Sequence, residues 1–397
     1  MTRDAAARQA PARASRLLPG LRLLHADLHN HTVLSDGDGD PARAFGSMRA
    51  AGLDVAAITD HVRPSPAADP GGGYPPPDPG PSLDPAGWRL TGALADGADH
   101  PGAFVALRGF EWSHSIAGHV NVWGSRSYVR PPHAPAEAAP SLWHWLGGGD
   151  GLDGLAGFNH PGREPGVFGH FAYQPQAAER LVGFEIFNRD EEYLFAGMEW
   201  GLDSPLVRCL EAGWRPGLTG VTDEHGADWG RPEGKGRTGL WASEPSRQGV
   251  RAALLARRVF ATRERNLLLA AVAGGEAGRA PMGGTLAHRG GPVRFEVELD
   301  RGPGWWGRPL LVQVLRAGRP LPRVAAAVEF RVARTGRPPL GFDVDLDPAD
   351  GAWAVLRITD PAALADPRAP AGWRDAGRAA AYASPFWLAA PQTRRTR

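Results

Sequence analysis

Six short apolar runs, each meeting an imidazole or a carboxylate at one end, constrain this chain more than any other feature. Asp54-Val55-Ala56-Ala57-Ile58-Thr59 ends in Asp60-His61, and Phe104-Val105-Ala106-Leu107 leads to Glu111. Leu155-Ala156-Gly157-Phe158 leads to Asn159-His160-Pro161, Leu181-Val182-Gly183-Phe184 to Glu185 and Asn188, and Leu218-Thr219-Gly220-Val221-Thr222 to Asp223-Glu224-His225. The run His119-Val120-Asn121-Val122-Trp123 begins with its histidine instead. Runs this short and this apolar are the pattern of buried parallel strands, and their polar ends then collect at one end of the sheet, as in a barrel.

A further cluster near the amino terminus, Asp27-Leu28-His29-Asn30-His31-Thr32 followed by Ser35-Asp36-Gly37, supplies more of the same side chains. A strand alternates its faces, so His29 and His31 project together and can reach one ion. Asp27 shares that face and is placed to accept a ring N–H and fix a tautomer. Ser35, Gly37 and Gly39 mark a turn that brings Asp36 back toward the histidines. Nine positions read together as the ligand set of a multinuclear centre: His29, His31, Asp36, His61, Glu111, His119, His160, Asp223 and His225. A divalent cation needs such ligands because its bonds replace the hydration each one loses.

The joint occurrence of D-L-H-N-H-T, S-D-G, T-D-H, G-F-E, G-H-V-N, N-H-P and T-D-E-H between about Asp27 and Arg263 resembles the PHP family, the polymerase and histidinol phosphatase type metallohydrolases, in its stand-alone bacterial branch. The resemblance implies an α/β fold, a distorted (β/α)7 barrel, holding two or three divalent ions (Zn, Mn or Fe). Carried over by residue, His29, His31, Glu111 and Asp223 would hold one ion. Asp36, His61 and His225 would hold a second, and Glu111, His119 and His160 a third, with Glu111 bridging. Glu185 and Asn188 match the family's E-x-x-N segment, and Val259 to Arg263 resembles its closing strand. Asp27 and Asp60 are expected to support the ligands.

Three divalent cations against the carboxylates of Asp36, Glu111 and Asp223 leave a site net positive even with a hydroxide shared between two ions. That field favours an anionic phosphate ester attacked in line by the hydroxide. Asp223 and His225 would then stand at the reacting centre, and His114, three residues past Glu111, is a candidate proton donor to the leaving group. Arg63, Arg163 and Arg189 follow motifs closely enough to clamp phosphate oxygens. With two ions the preference for anions fades, and hydrolysis of a carbamate or carboxylic ester becomes the alternative. A metal-stabilised scaffold without catalysis is the third reading.

Composition narrows the classes further. The 397 residues, 42% of them hydrophobic, suit a core-forming protein of two domains, and a formal charge of +1 argues against an extended nucleic-acid surface. Lys235 is the only lysine and is followed by Gly236, so no phosphate-binding Walker loop is present; no G-x-S-x-G elbow is found either. Cys209 stands alone, which excludes an internal disulfide and points to apolar packing. No run approaches the roughly 20 apolar residues of a membrane span, and a cytoplasmic location with a small-molecule substrate is the expectation.

Residues 1–20 are Ala- and Arg-rich and are expected to form a disordered leader, with the metal-binding unit over 21–268. The Pro- and Gly-rich stretch 64–101 reads as an insertion, a lid without assignable secondary structure. Asp40-Pro41 predicts a helix start with Phe45 and Met48 inward and Gly52 as its stop. A second helix is expected from about Pro245 to Arg258 with Val250, Leu254 and Leu255 on one face. Over 269–397 the alternation of segments such as Val293–Leu299, Leu310–Leu315 and Trp353–Ile358 predicts a small antiparallel β-sandwich.

Overall fold

The computed structural model describes residues 12–65, 80–230, 234–275 and 278–389. The first two thirds run β1 (Arg22–Asp27), α1 (Pro41–Ala50), β2 (Val55–Ile58), β3 (His61–Val62), α2 (Pro85–Ala98), β4 (Val105–His114), β5 (Gly118–Trp123), α3 (Pro135–Gly147) and β6 (Leu155–Phe158). They continue with α4 (Val167–Phe171), β7 (Leu181–Asn188), β8 (Glu191–Glu192), α5 (Pro205–Glu211), β9 (Gly217–Val221), β10 (Arg237–Ala242), α6 (Arg247–Leu255) and β11 (Val259–Thr262). The remainder is mostly strand: β12 (Leu268–Gly275), β13 (Gly278–Pro281), β14 (Thr285–Ala287), β15 (Gly291–Asp300), β16 (Pro309–Arg316), β17 (Arg323–Arg331), β18 (Leu340–Leu346), β19 (Trp353–Asp360), β20 (Arg378–Ala383) and β21 (Phe386–Ala389).

This is a mixed α/β fold in which the apolar runs pair largely in parallel: β1 with β2, β2 with β4, β6 with β7 and β7 with β9. Besides the two-residue β8, which runs antiparallel to β7, the strands β5 and β10 break the parallel pattern. β5 is antiparallel to both β4 and β6, and β10 to both β1 and β11. Only residues 115–117 separate β4 from β5, too few for a crossover, so the pair must be a hairpin. The position of His119 at the start of its run rather than the end is the sequence sign of that reversal. At the far end of the ladder β9 returns to β10, where Thr238 Oγ1 donates to the Gly220 carbonyl at 2.8 Å.

On one face of this sheet, Leu24, Leu28, Val55, Val105, Leu107, Trp123 and Val221 pack with Val250 and Leu254 of α6. The Trp123 indole fills space that Gly157 and Gly183 leave open, since a Cβ on Gly157 would lie 2.7 Å from its ring. On the other face, Phe45 and Met48 of α1 pack on Ile58 and Phe104, as the helix pattern predicted. Asp40 caps that helix by accepting from the Ala42 N–H, Pro41 opens it, and Gly52 follows it at φ 88°. In α6, Val250 and Leu254 are buried while Leu255 is only partly so.

Beyond β11, β12, β13, β15 and β18 form a four-stranded antiparallel sheet. Strands β16, β17, β19, β20 and β21 join the first sheet through β20, which pairs with β11. Leu269, Val297, Val312 and Leu356 belong to one apolar core that draws on both sheets. Among the described residues no helix is long and apolar enough to cross a membrane. Cys209 is buried in α5.

Two expectations are corrected. The leader is tied down from residue 12 onward: Arg13 pairs with Asp54 at 2.6 Å, Ser15 Oγ donates to Glu298, and Leu18 is buried. Residues 1–11 lie outside the described part. The stretch 64–101 is not uniformly irregular, for 85–98 form α2, while 66–79 lie outside the described residues. Asp84 caps α2 and Pro85 opens it, the same Asp-Pro signal as at α1, with Trp88 and Thr91 buried. The local density of Pro and Gly masked that signal.

Candidate metal centre

The chain past β1 stays extended through residue 32, held on both sides. Thr59 N–H donates to the Asn30 carbonyl at 2.8 Å and His31 N–H to the Glu224 carbonyl at 2.9 Å. This seats His29 and His31, both fully buried, between the ends of β2 and β9. Asp60 fixes the turn that follows by accepting from Thr32 N (2.8 Å), Thr32 Oγ1 (2.8 Å) and Ser35 Oγ (2.7 Å). Asp36 is thereby returned toward His61 and His225, and its side chain is 32% exposed on the open side of the cluster.

The nitrogens His29 Nε2 and His31 Nε2 face each other at 3.0 Å. Asp223 Oδ1 lies 3.3 Å from each, Glu111 Oε1 3.4 Å from the first and Glu111 Oε2 3.4 Å from the second. Ligands at about 2.1 Å from one cation are separated by roughly 2.9–3.4 Å in octahedral or tetrahedral geometry. The observed spacings are those a single divalent ion requires. Glu111 is also 2.7 Å from His61 Nδ1, 3.1 Å from His119 Nδ1 and 3.3 Å from His160 Nε2, so five imidazoles surround one carboxylate. Its buried Oε2 has no well-aligned hydrogen bond although His61 Nδ1 lies 2.7 Å away, an arrangement that suits an atom turned toward a cation.

All nine expected ligands therefore converge, in groups close to those the resemblance implied. His31, Asp36, His61 and His225 form one set, His29, His31 and Asp223 another, and His61, Glu111 and His119 a third, each with ligand atoms within 4.8 Å. His61 takes the place expected of His160 in the third set, and His160 approaches through Glu111 Oε1.

Electrostatics suits cation capture. Burial lowers the His61 pKa to about 4 and that of His160 to about 3, keeping their lone pairs free at neutral pH. Burial opposes charge on His29 too, but Asp223, Glu111 and Glu185 outweigh it and raise its pKa well above the ordinary value. Burial likewise works against ionised Glu111 and Asp223, yet the surrounding imidazoles hold both well below the usual carboxylate range. Three site residues, His160, Arg189 and Asp223, sit at positive φ (29°, 54° and 48°). Such backbone costs of order 1 kcal/mol or more per residue and persists where the surroundings dictate it, commonly at functional sites.

Two assigned roles change. Asp27 accepts from Thr222 N (3.1 Å) and Thr222 Oγ1 (2.5 Å) rather than from a ring nitrogen, and burial raises its pKa to about 6. Glu185 does what was expected of Asp27, meeting His29 Nδ1 at 2.8 Å while accepting from His160 N (2.7 Å) and Asn188 Nδ2 (2.8 Å). His114 is not at the centre. It alternates to the face of β4 opposite Glu111, its ring stacks on Trp112, and its Nδ1 accepts from Ile116 and Ala117 N–H at 3.1 Å.

Period two could have found the residue that does face the site, Ser113, whose Oγ is 2.6 Å from His61 Nδ1. Asn159, overlooked beside His160, donates to Glu111 Oε1 at 2.7 Å. Trp229, which no motif announces, donates to the His31 carbonyl at 3.0 Å.

The three arginines reach the rim. Arg63 Nη2 is 2.9 Å from Asp36 Oδ2, Arg163 Nη2 is 3.2 Å from Asn188 Oδ1 and 3.5 Å from Asp223 Oδ2, and Arg189 Nη2 is 3.0 Å from His225 Nδ1.

No family model matches the sequence, and no curated protein matches it. Among solved structures, the chain is similar to a two-domain protein from Bacteroides vulgatus containing a predicted PHP-like metal-dependent phosphoesterase, at 17% identity and TM-score 0.46, covering 90% of this chain and 95% of that one. It is also similar to a candidate metal-dependent phosphoesterase from Bifidobacterium adolescentis (15% identity, TM-score 0.30, 51% and 88% covered). An amidohydrolase from Chromobacterium violaceum solved with bound sulfate stands at 14% identity and TM-score 0.27, with 51% and 87% covered. The structural neighbours thus include PHP-like metal-dependent phosphoesterases, at low sequence identity.

Proposed function

We propose that this chain is a metal-dependent hydrolase acting on phosphate esters, built on a distorted barrel over 21–268 with a sandwich-like unit over 269–397. The observation that carries the reading is the buried convergence of His29 Nε2, His31 Nε2, Asp223 Oδ1 and the two Glu111 oxygens at 3.0–3.4 Å. His29, His31, Glu111 and Asp223 would hold one cation, Asp36, His61 and His225 with His31 a second, and Glu111 and His119, joined by His61 or His160, a third. Zn, Mn and Fe all suit imidazole and carboxylate donors. Bound there, the cations would acidify water toward neutral pH and polarise the substrate oxygen.

The protein's own groups supply position and charge. Glu185 holds the His29 ring by its Nδ1, leaving Nε2 to face the centre. Asp36, His225 and the arginines Arg63, Arg163 and Arg189 border the open side, where guanidinium forks can meet phosphoryl oxygens. The same arginines lie within 3.5 Å of Asp36 or Asp223, which offsets part of their charge. That pairing favours, as a second reading, a neutral carbamate or carboxylic ester.

Turnover of phosphate monoesters, phosphate diesters, carbamates and carboxylic esters, each with Mn, Zn and Fe supplied, separates the two. Phosphoester turnover that disappears on chelation and in His160→Ala supports the proposal. Background rates on phosphoesters with all three metals refute it, and activity confined to carbamates or esters establishes the second reading.

A further inference from the structure

Away from the metal ligands, between α2 and α6, lies a cavity of about 600 Å³. Leu107 and Leu155 reach it from the amino-terminal parts of β4 and β6, and Trp123 from the carboxyl end of the antiparallel β5. Glu111 stands four residues beyond Leu107 on β4, roughly 13 Å along the strand. The cavity and the ligand cluster therefore occupy opposite ends of the same strands.

Its charge is one-sided. Arg89, Arg108, Arg247 and Arg251 line it, and Asp96 is the one acid among its described lining residues. Asp96 is engaged by Arg247 Nη1 at 2.6 Å, Arg247 Nε donates to the Ala106 carbonyl at 2.8 Å, and Asp99 Oδ2 lies 3.6 Å from the same Nε. Arg247 Nη2 is left buried without a hydrogen-bond partner. Arg108 lies 4.0 Å over the Trp88 ring and donates to the Ser125 carbonyl at 3.1 Å. Burial lowers its pKa and the nearby Arg247 adds to this, while Asp96 offsets part of it. Gly92 of α2 is part of the arrangement, because a Cβ there would come within 2.7 Å of Arg108 Nη1.

The floor is apolar: Leu107, Trp123, Leu155 and Leu254 are at most 8% exposed. An apolar cavity with a few convergent polar groups is the pattern of a small-molecule site. Guanidinium groups crowded into it with one acid among them favour a negative charge on the occupant.

We propose that this cavity binds an anionic amphipath, a carboxylate or phosphate head on an apolar body, independently of the metal centre. The head would meet Arg108 and Arg247, and the body would lie along Trp123 and Leu254.

Titration calorimetry of the full chain with decanoate, below its micellar concentration, tests this against decanol and acetate. Saturable binding at one decanoate per chain is expected, unchanged by chelator, with decanol and acetate at least about tenfold weaker. Arg108→Gln should weaken decanoate by about tenfold or more, the loss of one charge-assisted contact. Should that variant misfold, Ala93→Trp decides, since Ala93 is exposed on α2 at the cavity wall and a ring there fills the space without removing a contact. Decanol or acetate binding as tightly as decanoate overturns the amphipathic assignment. Decanoate binding unchanged in folded Arg108→Gln and Ala93→Trp proteins, or appearing only with chain dimerisation, overturns the site.

Discussion

Glu185→Gln is the most searching single change to the metal centre because it removes one charge and almost no volume. The carboxylate accepts from three well-placed donors, the His29 ring at Nδ1, His160 N–H and Asn188 Nδ2, and sits 3.5 Å from a fourth, Asn121 Nδ2. A glutamine offers one acceptor oxygen and an NH2 group that must point at donors. At least one of the short bonds, at 2.7–2.8 Å, is lost, and a donor is left facing a donor. A charge-assisted bond is worth about 1.5–3 kcal/mol, so the His29 ring should lose orientation and metal affinity should fall roughly 10- to 100-fold. The assay is competition for Zn or Mn against a chelator of known affinity, with the metal-free melting curve recorded alongside. Affinity within about threefold of wild type in a protein that melts normally would show that Glu185 does not position His29, and the reasoning fails.

Other outcomes follow from the same geometry. In the metal-free protein, Asp27 has its carboxyl pKa raised from 3.8 to about 6 by burial, so its contribution to stability is full below pH 3.8 and is lost as pH rises through about 6. Asp27→Asn should therefore stabilise the metal-free chain by about 2–3 kcal/mol above pH 6 and much less at pH 4, as read from melting against pH. His114→Ala should leave catalytic turnover within a few fold while lowering the melting temperature, since its ring supports the turn at Ile116 and Ala117; a turnover loss as large as that of His160→Ala would return it to the active centre. Gly39→Ala should displace Trp229, whose ring a Cβ would meet at 2.0 Å, and with it the bond to the His31 carbonyl. The expected cost is about 1–3 kcal/mol in denaturant unfolding together with weaker metal binding.

Much of the centre was legible because strand periodicity and strand endings are local. His29 and His31 share a face by alternation alone, and each apolar run that ends in His61, His160 or Asp223 announces where the backbone leaves the sheet. The helix start at Asp40-Pro41 was equally local, and Asp84-Pro85 carried the same signal. What failed was judged on spacing without faces: His114 lies an odd number of residues from Glu111, so the pleat turns it away, while Ser113 at an even spacing faces inward.

The chain by itself marked the side chains with the donor chemistry for a cation and the strand ends that carry them, since donor chemistry and the two-residue repeat of a strand need no tertiary context. Only the folded structure decided who supports whom. Glu185 rather than Asp27 reaches the His29 ring, Glu111 becomes the hub of five imidazoles, and Trp229 meets the His31 carbonyl, all from positions remote in sequence. Such pairings depend on how strands close against one another, and a hydrogen bond across 156 residues leaves no periodic trace in the sequence.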